Sequence, residues 1–298
     1  MYRYCAYDLL IESHYELPGY PSCRGTSSNI NATVRILETS LDRREMNADH
    51  DAGWSLSGEF EDVFLCRIEH GHTILVDPYP GVDPDFVRTV VSGELMAALL
   101  RQRGYLVLHG SCVTKGDNTV ALIGYSGWGK STTAAYFVNN GYRLLSEDLL
   151  VINVADLNFS VVPGPQAIKL KPDAAKMFWK DYKQFPKVYD ATDKVIRLEN
   201  TSSSNGITSK ALQKIYLLEE KSRRKNKISD LSFNAAMVEL VKHTRTIEWL
   251  NAKSFMKSHF NQCTTLLENV PISLLQRRRT LKSLPEIKWL IENDLKYS

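Results

Sequence analysis

"GYSGWGKSTTAAYF" occupies residues 124–137. Gly124 to Ser131 satisfies every fixed position of G-x-x-x-x-G-K-[ST], the pattern of a phosphate-binding loop. Glycines at this spacing let the backbone wrap an anion with its N–H groups pointing inward. The helix that starts at the loop's end turns its positive end toward the same anion. The reading makes Gly124, Ser126, Gly127, Trp128, Gly129, Lys130, Ser131 and Thr132 the nucleotide-binding positions. Lys130 is expected to reach the β and γ oxygens of ATP, and Ser131 to ligate Mg²⁺. An apolar strand, "TVALIG", precedes the loop, and "KSTTAAYFVNN" follows as a helix ended by Gly141. Strand, glycine turn, helix, strand predicts an α/β fold.

The next strand carries the chemistry. Seventeen residues after Lys130, "YRLLSEDLLVINV" places Glu147 and Asp148 at a break between two apolar runs. In an open α/β sheet the strand ends hold the reacting groups. One carboxylate is then a Mg²⁺ ligand and the other a base for an attacking hydroxyl. Neighbouring residues on a strand point to opposite faces, which favours two roles over one shared role. His109, in "LHGS", closes the preceding strand, within reach of a catalytic carboxylate or the γ-phosphate.

Outward from this core, the first ~80 residues alternate in the manner of strands. "YRYCAYDLLIES", "NATVRILETS", "WSLSGEF", "DVFLCRIEH" and "TILVDP" are separated by polar loops, "LPGYPSCRGTSSN" and "DRREMNADHDAG". Residues 1–82 are expected to form a β-rich region built on a small antiparallel sheet, and 83–298 the catalytic domain. Helical spacing runs over 83–104. After 151, "VVPGPQAIKLKPDAAKMFW" reads as a strand end, an extended link and a helix. Residues 180–210 read as a long mobile loop. "LQKIYLLEE" is a strand, "KSRRKNK" a basic turn, and helices follow near 234–244, 251–269 and 283–294, with "ISLLQ" a short strand between the last two.

Composition sets limits. The 298 residues are 43% hydrophobic and 24% charged, with a net charge of +3. That total demands neither nucleic acid nor an anionic membrane. Apolar runs fall short of the ~20 residues of a membrane-spanning helix, and the N-terminus lacks a signal-peptide pattern. Five scattered cysteines without a Cys-x-x-Cys pair predict reduced thiols and a cytoplasmic location. "HGH" at 70–72 offers two metal-ligand types, or a polar hairpin turn, with no third ligand in view.

The stretch "LHGSCVTKGDNTVALIGYSGWGKSTTAAYFVNNGYRLLSEDLLVI" resembles the core of HPr kinase/phosphorylases. Their pattern is a His-Gly strand, a G-x-S-G-x-G-K-S loop, a helix, and Gly-(His/Tyr)-Arg-Leu before an acidic pair. It is most similar to the HPr-kinase-like proteins of lasso peptide biosynthesis clusters. Further stretches match in order, from "YRYCAYDLLIES" through "ILVDPYPG", "VVPGPQAIKLKPDA", "LQKIYLLE" and "ELVKHTRT" to "VPISLLQRRRTLKSLPEIKWLIEND". The resemblance implies a P-loop kinase core of the HPr kinase/phosphoenolpyruvate carboxykinase-like type. It implies ATP and Mg²⁺ as cofactors, and a serine of a peptide or protein as acceptor. The lasso-associated members phosphorylate the C-terminal Ser of a precursor peptide. Carried over, Glu147 is the base, Asp148 supports Mg²⁺ and His109 orients the base. Lys194 and Arg197, in "DKVIRL", stand where the family places basic residues near the substrate loop, and are expected either to neutralise developing phosphoryl charge or to be ordinary surface charge.

Two departures matter. Glu147 stands where the family usually has Asp, which displaces the carboxylate by ~1.5 Å. The family's Leu-Glu-x-Arg-Gly segment, whose Glu binds Mg²⁺, has its counterpart in "PGPQAIKL", with Gln166 and no carboxylate. That departure counts against phosphorylase activity and against HPr as substrate. Competing readings are a switch or motor ATPase, a small-molecule kinase, and a binding protein with a degenerate site. No Asn-Lys-x-Asp or Leu-Ser-Gly-Gly-Gln signature supports the ATPase class. The basic clusters "KSRRKNK" and "QRRRTLK" face either solvent or an acidic peptide leader. Homo-oligomers occur in the family, although no apolar stripe here requires one.

Overall fold

The computed structural model describes residues 1–23, 32–44, 54–60, 62–155, 158–198, 208–220, 225–249 and 253–296. The architecture is mixed α/β. Six strands make an N-terminal sheet: β1 (Tyr2–Ala6), β2 (Leu9–Ser13), β3 (Ala32–Glu38), β4 (Ser55–Phe60), β5 (Phe64–Glu69) and β6 (Thr73–Pro78). Their order is β1-β2-β3-β6-β5-β4. "YRYCAYDLLIES" is not one strand but a hairpin. Tyr7 and Asp8 both take positive φ, 57° and 56°, the backbone of a two-residue turn matched to strand twist. The sheet is mixed rather than antiparallel, because β2 pairs β3 and β3 pairs β6 in parallel. Alternation along a strand fixes its faces but says nothing of its neighbour's direction.

Helix α1 (Pro84–Val90) runs through one π-helical turn, Val91–Leu95, into α2 (Met96–Gln102). Asp83 caps it, accepting from the Asp85 N–H at 2.8 Å. The apolar face predicted for 83–104 packs down on the N-terminal sheet. Val91, Leu95, Met96 and Leu99 share one core with Ile11, Ile36 and Ile74, and that core continues to Val107, Leu149 and Val151.

The central sheet uses β7 (Leu106–Lys115), β8 (Asn118–Ile123), β9 (Arg143–Ser146), β10 (Leu149–Asn153) and β11 (Ser160–Val162), with helix α3 (Lys130–Val138) after β8. β12 (Ala167–Leu170) pairs β13 (Val195–Leu198) as a separate hairpin-like sheet, with α4 (Pro172–Phe178) between them in sequence. β14 (Lys210–Ala211), β15 (Lys214–Glu220), β16 (Lys227–Asp230), α5 (Phe233–Lys242), α6 (Lys253–Asn269), β17 (Ile272–Arg277) and α7 (Leu284–Asp294) complete the chain. The central order is β14-β11-β10-β7-β8-β15-β17-β16, with β9 also on β7. Among the described residues of this sheet, β8, β15 and β17 are the strands that run parallel, side by side.

Three expectations are corrected here. The "extended link" is strand β12, and the expected loop of 180–210 contains β13, which β12 holds in register from Ala167↔Leu198 to Leu170↔Val195. Residues 199–207 of that loop, 45–53 of the polar loop after β3, 24–31 of the loop after Cys23, and 221–224 of the basic turn lie outside the described residues. The five thiols are not all reduced either. Cys5 and Cys23 form a disulfide, and Cys66, Cys112 and Cys263 are free and buried. The pairing removes the support that cysteine usage gave to a cytoplasmic location. No helix among the described residues is long and apolar enough to cross a membrane.

Candidate active site

Strand register assembles the site. The glycine loop leaves β8 at Ile123, at the C-terminal end of the parallel strands, where α/β sheets place ligands. Gly110 of β7 pairs with Ile123, so His109 arrives beside the start of the loop. Leu149 pairs with His109, which brings Asp148 alongside. Gly110 is the residue that permits this closeness. A Cβ there would meet the Leu122 carbonyl oxygen at 2.9 Å and the Leu150 Cβ at 3.3 Å.

The acids sit at a kink between β9 and β10, both of which pair with β7; the β9 pairing has its own register shift between Cys112 and Val113. Ser146 pairs with Cys112 and Leu149 with His109, so Glu147 and Asp148 span the gap without losing register. The Leu149 N–H donates to the Glu147 carbonyl at 2.9 Å, and Asp148 takes φ 72°. This is a three-residue turn of the strained left-handed kind. Strain at a residue of this type gathers at functional sites. Simple strand alternation would have sent the two carboxylates to opposite faces; after the kink both line one cavity.

The glycine loop has backbone angles that only glycine takes readily. Gly127 and Gly129 have φ 83° and 90°, reached by glycine at no steric cost. Ser126 and Gly127 are exposed, and Ser131 and Thr132 are half-buried at the helix start. Lys130 is buried, and its Nζ donates to the Gly124 and Tyr125 carbonyls at 2.7 and 3.1 Å. Burial draws the Lys130 ammonium down to about 8, against the pull of Asp148 and Glu147. From below, the buried Arg277 donates from Nη1 to the Trp128 carbonyl at 2.9 Å. A trans peptide points its C=O and N–H in opposite directions. With the Trp128 carbonyl turned to Arg277, the Gly129 N–H faces away from it. A Cβ on Gly129 would lie 1.9 Å from Arg277 Nη1, so this glycine is demanded by contact as well as by φ.

The acids differ in state. Ser131 Oγ donates to Glu147 Oε1 at 2.5 Å. Burial pushes the Glu147 carboxyl up to about 7, with Asp148 adding to the push and Lys169, Ser131 and Lys194 opposing it. Burial would raise Asp148 as well, but Lys169, His109 and Arg245 outweigh it and hold Asp148 well below the usual carboxylate range. His109 Nδ1 lies 3.1 Å from Asp148 Oδ1, and Lys169 Nζ lies 3.5 Å from Oδ2. Arg245 donates to both Asp148 and Glu94. Burial also lowers His109 from its ordinary value; as a neutral ring it donates Nδ1–H to the carboxylate. The histidine's partner is thus Asp148, not Glu147.

Of the two basic residues expected near the phosphates, Lys194 is exposed and acts through its charge on Glu147 and Lys130. Arg197 lies over the Trp179 ring, 4.5 Å from its centre. Three groups escaped the sequence reading: Glu94, Lys169 and Arg245. Arg245 follows α5, where residues 243–245 bond the open edge of β7. The His109 N–H donates to the His243 carbonyl at 2.7 Å, and the Arg245 N–H to the Val107 carbonyl at 2.9 Å. Glu94 sits in the π-helical turn, a feature that often marks a functional position. Gln166 is buried, its side chain donating to the Gly164 carbonyl at 2.9 Å.

The residues present fit ATP and Mg²⁺. The loop offers a backbone cradle and a buried cation. Ser131 and the acid pair offer hard oxygen donors, the kind Mg²⁺ takes in small number beside phosphate oxygens. Among the described residues, no three His, Cys, Asp or Glu side chains converge as a protein-only metal site. His70 and His72 face each other at 5.9 Å between ring centres, at the turn between β5 and β6.

No protein-family model matches this sequence, and no curated protein is similar to it. Among solved structures, the chain is similar to the HPr(Ser) kinase/phosphatase from Coxiella burnetii, with a TM-score of 0.34 and 11% identity. That match covers 64% of this chain and 91% of the other.

Proposed function

We propose that the chain is an ATP- and Mg²⁺-dependent kinase that moves the γ-phosphoryl group to a serine hydroxyl of a peptide or protein. The observation that carries this reading is the split acid pair: two adjacent carboxylates beside the glycine loop, one raised to about 7 and one held ionised. Environments that drive two carboxyls apart separate a base from a fixed charge. Glu147, whose carboxyl is raised toward neutrality by burial and by Asp148, accepts the hydroxyl proton. Asp148 stays anionic and, with Ser131, would hold Mg²⁺. His109 fixes the orientation of Asp148. Lys130 and the loop N–H groups bind the phosphates. When bound, Mg²⁺ neutralises phosphate charge.

The substrate we propose is the C-terminal Ser of a lasso peptide precursor; its support is the ordered set of sequence stretches quoted above. The test incubates the protein with ATP, Mg²⁺ and such a precursor and reads mass. The expected result is a gain of one phosphate, ~80 Da, lost in Lys130→Ala and Glu147→Gln. Asp148→Asn should instead raise the Mg²⁺ concentration needed for half-maximal rate. ATP hydrolysis indifferent to every peptide would replace the kinase reading with the ATPase one.

A further inference from the structure

Beside the acid pair lies a cavity of about 360 Å³. Glu147 and Asp148 both line it, while none of residues 124–132 does. The loop and the cavity therefore meet the acids separately. Phosphoryl transfer places attacking and leaving oxygens in line, on opposite sides of the phosphorus. A nucleotide held by the loop thus leaves the cavity as the place from which an acceptor reaches Glu147.

Part of the cavity wall comes from the first twenty residues. Pro18 and Tyr20 line it together with Arg88 and Thr89 of α1, Lys169 of β12 and Leu198 of β13. The wall is fixed to the core. The Tyr7 N–H donates to the Pro163 carbonyl at 2.9 Å, and the Tyr20 hydroxyl donates to the Ser92 carbonyl at 3.3 Å. The volume stands at the lower end of small-ligand sites, roughly 300–1,000 Å³. A serine on a folded surface could not bring its surroundings into such a space.

We propose that this cavity is the acceptor site, shared between the N-terminal sheet and the core, and that it takes a slender hydroxyl-bearing group: a serine side chain on an extended, flexible peptide, or a free hydroxy amino acid. The inference rests on the kinase reading for its chemistry. In the step, the acceptor oxygen bonds to the γ-phosphorus as the bond to the β,γ-bridging oxygen breaks. The electron pair leaves on ADP, and the hydroxyl proton passes to Glu147.

The experiment uses saturation-transfer NMR on the full chain with Mg²⁺ and a non-hydrolysable ATP analogue. The probes are a mixture of Ser-containing tetrapeptides and, separately, free serine. Wild type should show transfer to a probe. Thr89→Trp, which narrows the cavity, and Leu198→Glu, at an exposed lining residue, should weaken it at least tenfold while analogue binding stays unchanged. Leu198→Glu guards against misfolding of the bulkier variant. Transfer to free serine identifies a single-residue occupant, and transfer to tetrapeptides alone identifies a chain; either supports the site. No transfer in wild type, or equal transfer in all three proteins, overturns it. Binding without phosphorylation once ATP replaces the analogue leaves the cavity standing and overturns the kinase reading instead.

Discussion

Glu147 is where burial and charge decide protonation, and its pH behaviour has a definite sign. In the proposed role of base it must lose its proton, so the rate of transfer should rise with pH through about 7. Lys169 pulls that value down, so Lys169→Met should move the rising limb to higher pH, read from kcat against pH. Stability runs the other way. The folded protein holds the proton more tightly than the unfolded chain, so the associated stability is present below the ordinary carboxyl value of 4.5 and is lost as pH rises through about 7. Thermal melts of wild type should show that loss, and Glu147→Gln should lack it. At this scale the loop, Glu147, Asp148 and His109 were legible, because each lies in a short pattern around one strand–turn–helix unit. Arg245 and Lys169 were not. They reach Asp148 through pairings 97 and 21 residues away along the chain, and no local periodicity encodes such pairings.

Among the elements, β17 has a task that its short apolar run did not announce. Its last residue, Arg277, sets the Trp128 peptide plane in the glycine loop. Arg277→Ala should weaken Mg-ATP binding about tenfold, about 1.4 kcal/mol, read by titration calorimetry. An unchanged affinity would reduce Arg277 to packing. The elements that sequence located well were those with sustained helical spacing, such as α3, α5 and α7. It missed β12 and β13, whose four-residue lengths are too short to show a period and which depend on each other for pairing. The hairpin of β1 and β2 was missed for another reason: its turn is Tyr7-Asp8, without the glycine that usually signals positive φ.

The whole molecule folds around shared cores. The boundary expected at residue 82 does not interrupt apolar packing, since Leu95 and Met96 bury themselves between the N-terminal sheet and residues from β7 and β10. Leu95, with no exposed surface, should cost about 2–5 kcal/mol when cut to Ala. Urea unfolding followed by circular dichroism and by tryptophan fluorescence should still give coincident transitions, in wild type and variant alike. Separate transitions would show two independent units.

One tie in the N-terminal sheet has a consequence for what the protein can accept. The segment that supplies Pro18 and Tyr20 is fastened from several sides. The Leu17 N–H donates to the Tyr4 hydroxyl at 2.9 Å. The Cys5 N–H donates to the Pro21 carbonyl, and the Cys23 N–H to the Arg3 carbonyl. Cys5 and Cys23 add a covalent bond. A stretch moored in this way does not swing as a flap; it travels only with its sheet. The gap between it and the acids therefore keeps its width, and on the proposed acceptor reading it would gauge a side chain before any proton moved.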